Sequence, residues 1–311
     1  MRQYIIQLVF FFGLVGFYPP IAAQIEINVV PEYRAIHYAK TLVLAPGQVA
    51  SADLHLNDFE DSYQLLHSTI RGGVSIAVID GRDRISNNPN PIPLLSRQLI
   101  RTGVIQLGRP PSRDGAIVVF VNKGSTPAEF VVRIDRLGVR PKAMRDQIRR
   151  FVELPFRSLG KVYELPLLTV TVRPCGQINA FSSPNITICT ELIADLMDKD
   201  TPKALFPILF HELGHSLLYI WKQPGYDDET LVDEFGAVLL AKSSPDAVED
   251  LITWFNLGDS VSEAAAQLSV SKKHPLSSER AKYLRQIMQS PDESFRKWSQ
   301  LLGPHMRRQA P

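Results

Sequence analysis

The hydrophobic pattern of the chain changes once, close to residue 140, and this change limits the folds available to it. Before that point, runs of β-branched and aromatic residues are separated by clusters of Gly, Asn, Asp and Pro, which is typical of strands joined by turns. Beyond Pro141 apolar residues recur at helical spacing, and from Thr201 onward the pattern is mainly helical. We therefore expect an α+β protein. The clearest strand runs are 74–79, 103–107, 116–121 and 130–134, followed later by 167–172 and 186–189.

The spacing of the early runs predicts the domain organisation. Regular short strands over about 110 residues are typical of an antiparallel β-sandwich, and we place this accessory domain at residues 24–138. Residues 139–311 would form a second domain that contains most of the helices. The sandwich region has no chemical motif, because its histidines (His37, His55 and His67) are isolated in the sequence. Isolated histidines of this kind are usually ordinary surface or core residues.

The first 23 residues have the organisation of a cleavable secretory signal. Arg2 precedes an apolar run from Tyr4 to Tyr18, and the small residues Ala22 and Ala23 provide a cleavage site. The run is shorter than the ~20 apolar residues that a membrane-spanning helix needs, and no later run is long and apolar enough. We expect an exported protein, periplasmic or secreted, with no membrane span in the mature chain.

The two cysteines of the chain, Cys175 and Cys189, agree with export. Outside the cytoplasm, an even pair close in sequence is more often a disulfide than two free thiols. Between them lies the turn-forming segment 182–185, Ser-Ser-Pro-Asn, which would fold the chain into a hairpin. Closing a loop of about 15 residues contributes about 3 kcal/mol in the chain-entropy model.

The overall charge excludes one class of partner. The chain has 34 Lys and Arg residues against 32 Asp and Glu residues, for a net charge of +2. This balance gives no indication of a nucleic-acid partner. Between positions 186 and 260, however, fourteen residues are acidic and four are basic. Such a local excess of carboxylates is compatible with a cation site.

A metal-binding motif lies within the strongest helical segment. The Thr-Pro pair at 201–202 is a typical helix start, and apolar residues continue the helix to Ile220. His211 and His215 are four positions apart, so they lie on one face of this helix, about one turn apart. Two neutral imidazoles in this arrangement can hold zinc, and Glu212 can take a proton from a metal-activated water.

A third protein ligand usually completes a catalytic zinc site and leaves one position open for water. After the turn at 224–225, Glu229 and Asp233 are four positions apart and so share a helical face. We assign Glu229 as the third ligand and Asp233 as the residue that orients His211 through its second ring nitrogen. Glu234 is the alternative third ligand, and this choice stays open from the sequence.

His-Glu-x-x-His followed by Glu-x-x-x-Asp resembles the gluzincin arrangement of thermolysin-like and CAAX-protease/HtpX-like peptidases. Two further segments resemble the latter group: 177–182, Gln-Ile-Asn-Ala-Phe-Ser, and 274–280, His-Pro-Leu-Ser-Ser-Glu-Arg. The Cys-Gly-x-x-Asn-Ala-Phe form, with a second cysteine in the next strand, is similar to an uncharacterised family of exported bacterial metallopeptidases. The resemblance covers roughly residues 165–290 and does not include the sandwich.

The resemblance implies roles for residues outside the metal helix. Asn179 and Ala180 would belong to an edge strand that binds the backbone of an extended substrate. His274 and Arg280 would stabilise the negative charge that develops on the carbonyl oxygen in the transition state. A fixed donor at such a position typically contributes ~2.7–4 kcal/mol.

These features together predict a zinc metallopeptidase with one zinc ion per chain and a peptide or protein substrate. Glu212 would act as general base for hydrolysis of the peptide bond. One alternative is a non-catalytic, zinc-containing exported binding protein in which the sandwich carries the function. A second is a metal-dependent hydrolase of another bond, such as a cell-wall amide. The oligomeric state is not indicated by the sequence.

Overall fold

The computed structural model describes the fold over most of the chain. The predicted signal segment 1–23 and the predicted catalytic residue His274 lie outside the described residues. Strands fill the part before residue 140, and most of the helical residues follow it. The predicted α+β class is therefore confirmed. The described residues are 25–55, 61–85, 92–112, 114–161, 163–241, 243–257 and 278–305.

After a first strand, β1 (Ile25–Val29), the described chain forms a β-sandwich. Its strands are β2 (Glu32–Leu44), β3 (Val49–Leu54), β4 (Ser62–Arg71), β5 (Val74–Asp80), β6 (Leu95–Leu99), β7 (Thr102–Gly108), β8 (Ala116–Val121) and β9 (Ala128–Val139), with a short helix, α1 (Gly81–Ile85), after β5.

The sandwich consists of two antiparallel sheets, with the orders β2-β9-β4-β7 and β3-β8-β5-β6. Successive side chains of a strand point to opposite faces, so alternate residues meet in one core between the sheets. This core contains Leu65 and Phe130 from the first sheet and Ile76 and Phe120 from the second. The two layers agree with the sandwich expected from the sequence.

The part after residue 140 combines a small sheet with helices. Its elements are α2 (Lys142–Gly160), β10 (Leu168–Arg173), β11 (Ala180–Ser182), β12 (Ile186–Cys189), α3 (Thr190–Asp198), α4 (Leu205–Ile220), α5 (Glu229–Ala241), α6 (Pro245–Leu257), α7 (Ser278–Gln289) and α8 (Pro291–Leu302), with 3-10 turns at Pro202–Ala204 and Gly303–His305.

The small sheet has the order β1-β10-β12-β11. Its first three strands are parallel, and β11 runs antiparallel to β12 at the edge. The sequence division placed β1 with the sandwich, whereas the structure pairs it with β10. Ile25 and Val29 are buried in the core of the C-terminal part. A five-residue alternating run predicts a strand but does not specify its partner, which explains the difference.

The helix with the metal-binding motif is an interior element. Thirteen of the sixteen residues of α4 are buried, as expected for a helix that is apolar around most of its circumference. The helix begins at Leu205, later than the Thr-Pro start at 201–202 predicts, because that pair begins a separate 3-10 turn. The motif itself lies within the helix, as expected.

Among the described residues, no helix is long and apolar enough to cross a membrane.

Candidate metal centre

The two histidines of α4 point their Nε2 atoms towards each other. These atoms are 3.2 Å apart, and the rings are arranged edge to face. Two nitrogen ligands in a zinc tetrahedron with bonds of ~2.0–2.1 Å are separated by about 3.3 Å. His211 is buried, whereas the side chain of His215 remains 12% exposed. The helix alone therefore spaces two ligand atoms correctly for one metal ion.

Glu229, the first residue of α5, brings a carboxylate to the same point. Its Oε2 lies 3.2 Å from Nε2 of His211, and its Oε1 lies 3.7 Å from Nε2 of His215. The ligand atoms of the three residues all lie within 4.8 Å of one another. The side chain of Glu229 is 37% exposed, so the group is open to solvent on one side. Three donors with an open side are what a catalytic zinc site requires.

Two glycines allow α5 to lie close enough to α4 to form this group. A Cβ at Gly236 would lie 2.8 Å from the backbone oxygen of Pro207, and one at Gly214 would lie 3.0 Å from the Phe235 ring. Any larger residue at Gly236 would therefore force the helices apart. Close approach of the two backbones places the first turn of α5 opposite the histidines.

Asp233 lies one turn beyond Glu229 and accepts a hydrogen bond from the ring of His211. The distance from Nδ1 of His211 to Oδ1 of Asp233 is 2.7 Å. Arg280, from α7, donates to both carboxylate oxygens of Asp233, at 2.7 Å from Nε and 2.6 Å from Nη2. Its guanidinium also lies over the ring of Phe255. The carboxylate is thus held from both sides, and the Nε2 atom of His211 is directed at the ligand group.

The second histidine is oriented by the backbone. Nδ1 of His215 lies 2.5 Å from the carbonyl oxygen of Tyr226, in the loop before α5. A ring N–H donated to this oxygen leaves the lone pair of Nε2 directed at the candidate ligand group. Both imidazoles therefore present the same nitrogen to the site.

The charges around the histidines favour a cation. Burial lowers the pKa of His211, but its hydrogen bonds to Asp233 and Glu229 outweigh burial and raise the pKa to about 9. Burial also opposes ionisation of Asp233, yet its bonds to His211 and Arg280 keep the pKa of this carboxyl below its usual value. Burial and the neighbouring charge of His211 lower the pKa of His215. The carboxylates thus stabilise one positive charge, whether a proton or a metal ion carries it.

Glu212 is the most unusual polar group of the site. It is 2% exposed, and its Oε2 atom has no hydrogen-bond partner among the described residues. A buried carboxylate oxygen without a partner is energetically costly unless a ligand or a water molecule satisfies it. Glu212 and His211 line the same cavity. The carboxylate is therefore available to a water or substrate beside the ligand group.

The alternative third ligand, Glu234, points elsewhere. Its Oε2 accepts a hydrogen bond from Nζ of Lys297 on α8, at 2.7 Å, and Glu234 is absent from the described groups that could hold a metal. At about 100° per residue, two helical residues five positions apart differ by about 140° in direction, so Glu229 and Glu234 cannot both face α4. A further group, Cys175, Cys189 and Glu191, is close enough to hold a metal, but its cysteines are bonded to each other.

The predicted substrate-binding residues belong to the hairpin and line the same cavity as His211 and Glu212. Ala180 begins the edge strand β11 and pairs with Ile188 of β12, and the carbonyl oxygen of Asn179 accepts the backbone N–H of Cys189 at 3.0 Å. Asn179 and Ala180 line the cavity together with His211 and Glu212. The remaining walls are Arg280, Asp233 and the mainly apolar side chains Ile178, Leu192, Ile208, Leu251, Trp254 and Phe255.

The structure contains the predicted disulfide between Cys175 and Cys189, with Cα atoms 5.3 Å apart. The turn after β11 is closed by a hydrogen bond from the backbone N–H of Ser183 to the carbonyl oxygen of Asn185. The predicted hairpin is therefore present, and it carries the edge strand.

Several residues that shape the site have no signal in a single sequence. Gly214 and Gly236 act through the distance between two helices, and Tyr226 contributes only its backbone oxygen. Arg280 was expected to face the substrate carbonyl, yet two of its nitrogens bind Asp233. Its role in transition-state binding stays a prediction, as does that of His274, which lies outside the described residues.

Comparison with known families agrees with this geometry. Residues 142–293 match the model of a family described as "Putative metallopeptidase". The match includes α4, α5, the disulfide hairpin and Arg280, and it excludes the sandwich. A metallopeptidase implies a bound metal ion, and the described group that fits one is His211, His215 and Glu229. No curated protein is significantly similar in sequence to the chain.

Three of the solved structures that resemble the chain share 10–17% sequence identity with it. A crystal structure of PirA is 17% identical over 33% of this chain and 94% of its own, with a TM-score of 0.25. A cupin domain of a transcriptional regulator from Enterobacter cloacae is 16% identical over 33% of this chain and 95% of its own, with a TM-score of 0.20. A designed double-stranded β-helix reaches 10% identity over 31% of this chain and 97% of its own, with a TM-score of 0.21. Scores this low carry no argument about function.

Proposed function

We propose that the chain is a zinc-dependent peptidase that hydrolyses peptide bonds with Glu212 as general base. The observation that carries the proposal is the buried Glu212 carboxylate, whose Oε2 has no hydrogen-bond partner among the described residues, beside three converging candidate ligand atoms. The N-terminal signal pattern and the disulfide support action outside the cytoplasm, in the periplasm or as a secreted enzyme.

The chemistry of the ligands favours zinc. Two imidazole nitrogens and one carboxylate oxygen, from His211, His215 and Glu229, are a donor set of catalytic zinc sites, with one position left for water. When bound, zinc would polarise the substrate carbonyl and lower the pKa of a water molecule. Asp233 and the Tyr226 carbonyl would keep the two imidazoles in the required orientation.

Glu212 would transfer the proton during hydrolysis. It would take the proton from the attacking water and deliver it to the nitrogen of the leaving amine. A non-catalytic zinc protein has no use for a buried carboxylate in this place, since the carboxylate costs free energy to bury and its Oε2 has no hydrogen-bond partner among the described residues. This argues against the alternative in which only the sandwich has a function.

Arg280 would act through Asp233. Its two hydrogen bonds keep the pKa of Asp233 low, so that this carboxylate remains a charged acceptor for the ring N–H of His211. We therefore favour a positioning role for Arg280 over direct contact with the carbonyl oxygen.

The edge strand would bind the substrate. β11 ends the small sheet and lies against α4, so an extended peptide can add to it as a further strand. Peptide backbones suit such an edge better than other amides do, because they offer N–H and C=O groups at the same spacing. This favours peptides over a cell-wall amide.

The substitution Glu212→Gln tests the mechanism, since glutamine retains the shape of the side chain but cannot accept the proton. We expect kcat to fall at least about 100-fold, as for other general bases, while zinc content by metal analysis stays at one ion per chain. Peptide-library cleavage by wild type and variant gives the measurement.

Glu234→Gln is the matched control, because Glu234 is a buried glutamate of the adjacent helix that pairs with Lys297 outside the cavity. We expect this variant to retain turnover. Undiminished hydrolysis by Glu212→Gln would contradict the mechanism, and a purified protein without zinc would contradict the choice of metal.

A further inference from the structure

The disulfide hairpin, residues 175–189, is attached to the sandwich at both of its ends. It carries the edge strand β11, which the proposed function assigns to substrate binding. β11 has only three residues and pairs with one strand, β12. A strand this short has little stability of its own, so its position depends on what holds the hairpin.

At the first end, the Cys175-Gly176 turn is bound by two charged side chains. The carboxylate of Glu191 accepts the backbone N–H of Gly176 at 2.6 Å and that of Cys175 at 3.2 Å. Nη1 of Arg133, on strand β9 of the sandwich, donates to the carbonyl oxygen of Gly176 at 2.6 Å. Both polar groups of Gly176 are thus used, and one of them is bound from the sandwich.

At the second end, the contact comes from β2 of the sandwich. The hydroxyl of Thr190, the residue after Cys189, accepts the backbone N–H of Arg34 and donates to the carbonyl oxygen of the same residue, both at 2.9 Å. The side chain of Arg34 also lies 3.9 Å from the carboxylate of Glu191. The sandwich therefore binds the chain on both sides of the disulfide.

Arg133 is an unusual residue to find buried. Phe130, Val132 and Ile134 of β9 point into the sandwich core, so Arg133 points to the opposite face of the sheet. It is 1% exposed, and its Nε and Nη2 atoms bind both carboxylate oxygens of Asp135, which is itself fully buried. A buried ion pair adds little to stability compared with apolar residues of the same volume. The pair does, however, hold the guanidinium so that its third nitrogen reaches Gly176.

We infer that the sandwich is a structural part of the substrate-binding site, and that Arg133 is the positioning residue through which it sets the place of β11. The inference rests on the proposed function for the assignment of β11 to substrate binding. The attachment of the hairpin to the sandwich is independent of catalysis. An edge strand binds the peptide backbone in the ground state and in the transition state alike. Loosening the strand therefore raises KM more than it lowers kcat.

The test compares amide hydrogen exchange in the full-length, zinc-loaded protein and its variants. Arg133→Met removes the contact with Gly176. It also removes the guanidinium that binds the buried Asp135 carboxylate, and a buried charge without this partner can unfold the protein. The double variant Arg133→Met/Asp135→Asn removes both charges and is expected to remain folded. Arg71→Met is the control, since Arg71 lies in the same sheet and pairs with Glu129 on the surface.

Circular dichroism shows which Arg133 variant is folded. In that variant we expect amide exchange in residues 175–182 to accelerate at least about tenfold, because one hydrogen bond from a charged donor is lost. Exchange in α4, zinc content and the Arg71→Met protein should not change. Unaltered exchange in 175–182 would overturn the inference.

The kinetic measurement separates this inference from the proposed function. KM for a peptide substrate should rise about tenfold, with kcat within about twofold of wild type. A wild-type protein that cleaves no peptide, combined with faster exchange in the variant, would refute the peptidase and leave the positioning role intact. A fall in kcat at constant KM would refute the role of β11 in ground-state binding.

Discussion

At the scale of single residues, the site depends on two glutamates of α5 that face different helices. Glu229 faces α4 and places its oxygens 3.2 and 3.7 Å from the histidine nitrogens, whereas Glu234 faces α8 and binds Lys297. Both residues are acidic and both follow the histidine motif closely. Their directions differ because they occupy different positions around the helix axis.

Zinc affinity tests this division directly. We expect Glu229→Gln to weaken zinc binding at least about tenfold, since an ionised ligand is replaced by a neutral amide. Glu234→Gln, the same substitution five positions later, should leave the affinity unchanged. Competition with a chelator of known affinity gives the two constants, and the reverse order would make Glu234 the ligand.

At the scale of elements, the candidate ligand group depends on close packing of α4 and α5. A Cβ at Gly236 would lie 2.8 Å from the carbonyl oxygen of Pro207, and one at Gly214 would lie 3.0 Å from the ring of Phe235. Glu229 and Asp233 are on α5, and the histidines are on α4. The separation of the helices therefore sets the separation of the ligands.

Gly236→Ala tests this packing. A Cβ placed 2.8 Å from a backbone oxygen must shift the helices, and overpacking of this kind typically costs about 1–3 kcal/mol. We expect lower stability in urea unfolding together with weaker zinc binding. Gly160→Ala is the control, because a Cβ at Gly160, in the last turn of α2, meets no atom within 4 Å. Normal zinc affinity in Gly236→Ala would show that the ligand group tolerates a wider helix crossing.

At the scale of the whole molecule, the buried charges of the site link metal binding to folding. His211 is 4% exposed and has a pKa raised to about 9 by Asp233 and Glu229 in spite of burial. The folded, metal-free protein therefore retains a proton at His211 at pH values where the unfolded chain has released it. A zinc ion would replace this proton, since metal ligands must be deprotonated.

The metal-free protein should lose stability as the pH rises. A histidine pKa of about 9 in the folded state against 6.5 in the unfolded state corresponds to about 3 kcal/mol. Because the folded state holds the proton more tightly, this contribution is complete below pH 6.5 and disappears as the pH rises through 9. Urea unfolding of chelator-treated protein at pH 6 and pH 10 measures it. The difference between wild type and His211→Gln should shrink by this amount, and a constant difference would contradict the raised pKa.

Local chemistry explains what could be predicted from the sequence. The position of His211, Glu212 and His215 on one helix follows from a spacing of four residues, which helical geometry converts into a shared face. The hairpin and its disulfide follow from two cysteines on either side of a turn-forming segment. The alternation of the strands before residue 140 likewise predicts a sandwich, because burial on one face of a strand is a local property.

What the tertiary structure decided concerns partners that are distant in the chain. Which glutamate faces the histidines depends on how α5 packs on α4, and the two glycines that permit this packing carry no signal of their own. The bonds from Arg280 to Asp233 span 47 positions, and the bond from Arg133 to Gly176 spans 43. β1 joins β10 across more than a hundred residues. Hydrophobic pattern and propensity act over a few residues, so they predict the elements and the motif, whereas packing of the whole chain selects which elements meet.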